Sequence, residues 1–216
     1  MLLLAFDTAT PHVTVALHDG TRTLATYDGE GSMRHGELLA PGITHVLARA
    51  GADVGEVTDL VVGVGPGPYT GLRVGVVTGR TLAAALGVRA SGVCSLDGLA
   101  ASAREDGVAL PFVAASDARR KEVYWARYDS AGRRVRGPYV DLPAALADQL
   151  VGGEQVVGRG ARLYADVLPA ADGPLDPRAA SMAAAVADGL VETLPLEPLY
   201  LRRPDAAEPA ERTRAT

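Results

Sequence analysis

Asp7 and the glycine loop from Gly63 to Gly71 come nearest to a recognisable chemistry. The loop reads Gly63-Val64-Gly65-Pro66-Gly67-Pro68-Tyr69-Thr70-Gly71. It follows an apolar stretch with the character of a buried strand and opens onto a helix. Helix N-termini offer unpaired N–H donors and the positive end of the macrodipole, so phosphates settle there. The chemistry would be nucleotide binding, with Asp7, Thr8, Gly65, Gly67, Thr70 and Gly71 as candidate ligands. The loop nevertheless lacks the Gly-Lys-Ser/Thr of a phosphate loop. The third glycine of a dinucleotide fingerprint arrives one residue late. Pro66 and Pro68 delete two N–H donors from the stretch that would grip the anion. A rigid, specially shaped turn and a weak nucleotide site both fit these residues.

Other chemistries find little purchase. The four histidines are His12, His18, His35 and His45. Ligands of one zinc lie about 2.1 Å from the metal. His12 and His18, six strand residues apart, stand about 20 Å from each other. His35 and His45, ten apart, point to different faces of a helix. No metal is expected. No Gly-x-Ser-x-Gly elbow occurs, and the single Cys94 reads as a small buried hydrophobe. With one cysteine there is no internal disulfide, and a reducing cytoplasm is the expected compartment. The apolar start, Met1 to Phe6, is too short for a signal segment or a membrane span. The net charge is −5, and no basic run marks a nucleic-acid surface, although a local patch can hide in an acidic average.

These residues need elements to hold them. Leu2 to Phe6 has the continuous apolar character of a strand covered on both faces. Val13, Val15 and Leu17 alternate as a second strand. Asp19-Gly20 is a hairpin signal leading to a third strand over Thr21 to Tyr27. Asp28 to Ser32 reads as a loop. A helix is expected from about Glu37 to Ala50, starting near Leu38 because Pro41 belongs in a first turn, or else kinking. A strand over Leu60 to Val64 precedes the glycine loop, and a long helix runs from about Gly71 to Leu86, stopped by Gly87. A second half opens near Gly107. It has strands over Leu110 to Ala115, Glu122 to Tyr128, Arg134 to Val140 and Gln155 to Val157. Helices are expected over Leu142 to Leu150 and Ala179 to Thr193. Past Arg203, proline, alanine and charge suggest a frayed tail. The units divide as a first lobe (1–107), a smaller second lobe (108–203) whose 179–193 helix is free to pack back on the first, and a tail (204–216).

The helix after the glycine loop carries a stripe of Gly71, Gly75, Gly79 and Ala83. Interior glycines cost roughly 1 kcal/mol each relative to alanine, so close packing is expected against them. Val74, Val77, Thr81 and Ala85 form a further patch, and only Arg73 and Arg80 mark a wet side. A helix apolar over most of its girth is covered on two sides. One cover is its own sheet; the other is a neighbouring helix, a second lobe or another chain.

Four stretches together resemble the TsaB (YeaZ) family. They are Asp7-Thr8-Ala9-Thr10, His35-Gly36-Glu37-Leu38-Leu39-Ala40-Pro41, Gly65 through Gly75, and Asp117-Ala118-Arg119-Arg120-Lys121-Glu122-Val123-Tyr124. The resemblance runs on to Pro198-Leu199-Tyr200-Leu201-Arg202. It implies an α/β, two-lobed actin-like ATPase fold of the ribonuclease H-like type with a reduced second lobe. It also implies a non-catalytic subunit in the formation of N6-threonylcarbamoyladenosine next to the tRNA anticodon, paired with a TsaD-like transferase and assisted by a TsaE-like ATPase. The transferase's metal-binding histidines fall on Ser95 and Leu99 here. The implied partner contact uses His35, Leu38, Leu39, Ile43, Val46 and Leu47 of one helix. From the next helix it takes Val74, Gly75, Val77, Thr78, Gly79, Thr81, Leu82 and Ala85. ATP or ADP at the complex interface, a homodimer when alone, and only indirect contact with tRNA complete the expectation. A nucleotide-hydrolysing member of the sugar-kinase superfamily is the alternative, and a metallopeptidase-like protein a third.

Overall fold

The computed structural model describes residues 1–30 and 34–202. Two sheets organise them. The first has strand order β3-β2-β1-β4-β5, built from β1 (Leu3–Asp7), β2 (His12–His18), β3 (Thr23–Glu30), β4 (Asp59–Gly63) and β5 (Arg89–Val93). Its first three strands form an antiparallel meander, while β4 and β5 run parallel to β1. The second has order β8-β7-β6-β9, from β6 (Phe112–Asp117), β7 (Val123–Tyr128), β8 (Arg134–Asp141) and β9 (Gln155–Val157). Only β9 is parallel to its neighbour. The helices are α1 (His35–Ala50), α2 (Tyr69–Leu86), α3 (Ser95–Glu105), α4 (Pro143–Ala147), α5 (Arg159–Leu163) and α6 (Ala179–Ala187).

Period-two alternation sorts the strand side chains into layers. Leu4 and Phe6 of β1 share one face with Val13, Val15, Leu17, Leu60 and Val62, under α1 and α2. Leu3 and Ala5 face the other way, with Ala16, Val61 and Val93, against Ala179, Met182 and Ala183 of α6. In the second sheet Phe112, Ala114, Tyr124, Ala126 and Tyr128 meet Leu96, Leu99, Ala100 and Ala103 of α3. Val113, Ala115, Val123 and Trp125 pack outward on Leu146 and Ala161, from α4 and α5. Because α3 and α6 touch each other, the molecule is five layers deep: α1 and α2, a sheet, α6 with α3, a sheet, then α4 and α5. Both faces of β1 are thus covered, which is what its unbroken apolar run requires. Each fully buried Leu or Phe contributes about 1.5–3 kcal/mol.

Several elements differ from expectation. β3 runs on to Glu30, three residues into the expected loop; the rest of that loop, and the tail from 204, lie outside the described residues. α1 begins at His35, so Pro41 falls in its second turn. Pro41 is exposed, so the bond it cannot make leaves a carbonyl that water can satisfy. α2 begins at Tyr69 and ends on Gly87, whose φ of 67° is left-handed. α4 stops at Ala147 and α6 at Ala187, well short of Leu150 and Thr193. β5, α3 and α5 were not anticipated.

Candidate functional site

The turn after β1 and the glycine loop after β4 lie against each other because parallel pairing brings both strand ends to one edge. The Asp7 carboxylate has no free oxygen. Ser95 Oγ donates to Oδ2 at 2.5 Å and the Ala9 amide donates to Oδ1 at 2.6 Å. Ser95 Oγ also accepts from the Gly65 amide at 3.1 Å, and the Ser95 amide donates to the Gly65 carbonyl at 2.7 Å. Thr8 Oγ1 donates to the Gly71 carbonyl at 2.7 Å, and His35 Nε2 lies 2.8 Å from the Thr10 carbonyl. Asp7 is 1 % exposed. Burial pushes its carboxyl above the usual carboxylate range, more than the Ser95 and Ala9 bonds pull it down.

The glycines are explained by this closure. A Cβ on Gly63 would overlap the Asp7 carboxylate; on Gly67 it would overlap the Ala9 carbonyl, and on Gly71 the Thr8 carbonyl. Gly65 has φ 97°, open to glycine alone at no cost. Of the six candidate nucleotide ligands, Asp7, Thr8, Gly65 and Gly71 are buried and Gly67 is half-buried; Thr70 is exposed. Three of these groups are engaged within the chain: the Asp7 carboxyl with Ser95 and Ala9, the Thr8 hydroxyl with the Gly71 carbonyl, and the Gly65 amide with Ser95.

Beside the turn lies a hollow of about 370 Å³ whose walls include His12, Asp28, Arg159, Asp176 and Arg178. Arg159 and Asp176 form a two-pronged ion pair, and His12 Nε2 stands 3.8 Å from Asp176. Among the described residues no group of three or more His, Cys, Asp or Glu is placed to hold a metal ion. Burial pushes the Cys94 thiol up to about 12, so it is not a nucleophile near neutral pH. No helix among the described residues is long and apolar enough to cross a membrane.

The two helices named as a partner face divide sharply. His35, Leu39, Ile43, Val46 and Leu47 are buried beneath α1, on β2 and β3 of the same chain. Gly75 and Gly79 are buried too: a Cβ would stand 2.5 Å from Thr8 Oγ1 at the first and 2.7 Å from Val62 Cγ2 at the second. These seven residues belong to the chain's own core, a correction to the expectation from sequence. Val74, Leu82, Leu38 and Thr78 are half-buried, while Val77, Thr81 and Ala85 are exposed. Val77 is 60 % exposed, a large fraction for a valine. Ser95 was missed as a ligand of Asp7. The signal for its helix was present: Leu96, Leu99, Ala100 and Ala103 recur at i, i+3, i+4 and i+7.

An antiparallel three-strand meander extended by parallel strands, facing a second and smaller sheet across two helices, is the architecture of the two-lobed actin-like ATPases. A sequence profile described as "TsaD: tRNA N6-adenosine threonylcarbamoyltransferase" matches residues 29–192. The protein Rv3421c of Mycobacterium tuberculosis is 41% identical over 213 residues, covering 94% of this chain and 93% of that one. The Haemophilus influenzae "tRNA threonylcarbamoyladenosine biosynthesis protein TsaB" is 32% identical, covering 74% and 67%. The solved structure "YeaZ from Pseudomonas aeruginosa" superposes with a TM-score of 0.79 at 31% identity, covering 93% of this chain and 99% of that one. The chain spans 56% of a longer Mycobacterium leprae relative, ML0378, at 40% identity. The chain belongs to the TsaB (YeaZ) family.

Proposed function

We propose that this chain is a non-catalytic subunit in the formation of N6-threonylcarbamoyladenosine in tRNA, docking a TsaD-like transferase and holding it in its active state. The observation that carries this reading is the outer face of α2. Val77, Thr81 and Ala85 form an exposed strip of small apolar and hydroxyl side chains, and Val74, Thr78 and Leu82 flank it half-buried. A strip of this kind on a soluble chain suits a helix-on-helix contact. The closed Asp7 site supports the non-catalytic part, since a carboxyl that is 1 % exposed and already bonded to Ser95 and Ala9 is out of reach of a substrate. The relatives named TsaB support the pathway. In this reading a TsaE-like ATPase completes the assembly and ATP or ADP binds at the interface with the partner. Alone, the chain pairs with a second copy through the same face.

The test is light-scattering mass after mixing the purified chain with the TsaD-like protein of the same organism. A stable heterodimer is expected. Two unchanged masses, with and without ATP, would overturn the reading.

A further inference from the structure

The docking strip of α2 is part of a longer row. Tyr69, Arg73, Val77, Thr81 and Ala85 recur at every fourth residue, and all five are exposed. Side chains at that spacing form a ridge, and a second helix packs by fitting its own ridges into the grooves alongside. The two ends of the row differ. Val77, Thr81 and Ala85 are small and allow close approach. Tyr69 and Arg73 are large, and a neighbouring segment holds them in place.

Residues 194–202 supply that support, running from the edge of the first sheet to the turn between β6 and β7. Leu194 exchanges backbone bonds with Gly92 of β5, both at 2.8 Å. The Leu196 carbonyl accepts from Arg80 Nε at 2.8 Å, and the Leu199 amide donates to the Val64 carbonyl at 2.8 Å. Arg202 Nη1 donates to the Ala118 carbonyl at 3.0 Å. Between these fixed points Tyr200 stacks on Tyr69, with centroids 5.3 Å apart and planes 24° apart. Arg73 lies over the Tyr69 ring at 4.7 Å. Each tyrosine is still 42 % exposed. The pair therefore offers aromatic surface already ordered, at little further cost in side-chain freedom when a partner covers it. Arg73 is exposed and forms no ion pair among the described residues. Glu197, in the supporting segment, is engaged with Arg80 at 3.5 Å.

We propose that Tyr69, Arg73 and Tyr200 anchor the docking face, receiving an acidic side chain and its apolar surroundings from a helix of the TsaD-like partner. The proposal rests on the docking reading above and extends the face from α2 onto residues 194–202. Tyrosine and arginine are the residue types that dominate binding energy once a partner excludes water from them. Charge selects the occupant. Two copies of α2 crossing antiparallel near Val77 would carry Arg73 of each toward Arg80 of the other, and α2 has no Asp or Glu to set between them. A different chain with a carboxylate at that place completes Arg73 with a charge-assisted bond. Self-pairing through this face is then the weaker contact.

The test is calorimetric titration of the chain with the purified TsaD-like protein of the same organism, beside light-scattering mass of the chain alone. The variants are Arg73→Glu and Tyr200→Ala. Both positions are exposed, so melting temperatures should match the wild type, and binding is read on folded protein. Each variant is expected to raise the Kd of the heterodimer about tenfold or more. A wild-type heterodimer whose Kd neither variant changes overturns the anchor and leaves the docking reading standing. If only self-association responds to the variants, the anchor serves a second copy and the proposal is overturned. A wild-type chain that forms no heterodimer removes the docking reading and the anchor together.

Discussion

Asp7 is a carboxylate sealed from water, and its chemistry follows from that. Its folded form holds a proton more readily than the unfolded chain does, because burial opposes the charge more than its two hydrogen bonds favour it. With the folded value raised, the group's favourable contribution is present in full below the ordinary carboxylate range. It is lost as pH rises through the raised value. Asp7→Asn keeps the shape without the charge: its Oδ1 still accepts from the Ala9 amide, and its Nδ2 donates to Ser95 Oγ, reversing that bond. The variant should therefore gain on the wild type in urea midpoint at pH 7.5, and the gap should close near pH 4. A gap of equal size at both values would show that charge burial is not what the change relieves. Asp7 was legible as a candidate because it ends an apolar strand. Its closure was not, since Ser95 lies 88 residues away and a loop sequence does not reveal which turn it seals against.

At the scale of the element, α2 shows what periodicity can and cannot tell. The stripe of Gly71, Gly75 and Gly79 announced close packing, and close packing is there, but against Thr8 and Val62 of the same chain. A helical wheel gives the angle between faces and is silent on which cover each face meets. The fold separates the two positions that the wheel left equivalent. Gly79→Leu drives a side chain into Val62 and Leu196 and should destabilise by about 1–3 kcal/mol or more, as overpacked cores do. Val77→Arg changes an exposed position and should shift stability by less than about 0.5 kcal/mol, while abolishing the heterodimer mass. Thermal melts beside light scattering separate the two; a Val77→Arg chain that still assembles would move the contact off α2. β5 escaped notice for a related reason. Arg89-Ala-Ser-Gly-Val is an edge strand with only Gly92 and Val93 buried, so its composition carries no apolar run.

At the scale of the whole molecule, the question is what ties the two sheets together, and a polar cluster joins the apolar middle layer in doing so. Asp97, near the start of α3, accepts from Tyr128 Oη at 2.7 Å and from Arg134 Nε at 2.9 Å, both from the second sheet. Arg134 also reaches the Gly137 carbonyl at 2.9 Å and Glu192 at 3.2 Å, in the segment that follows α6. One guanidinium thus links the middle helices to β8, across sequence separations of 37 and 58 residues that no local pattern encodes. Burial raises the Asp97 carboxyl and Arg134 is the largest force lowering it. Removing the arginine therefore leaves a buried carboxylate with only Tyr128 for company, a loss of about 3 kcal/mol at pH 7.5 for Arg134→Met. The sign of the pH dependence follows. Without Arg134, Asp97 takes up a proton at higher pH, the uncompensated charge disappears, and the deficit against wild type should shrink as pH falls toward 4. Urea unfolding of both proteins at the two pH values reads this directly. A deficit that stays constant would mean that Arg134 acts through its stem packing and its bond to Gly137, and that the charge on Asp97 does little to hold the layers together.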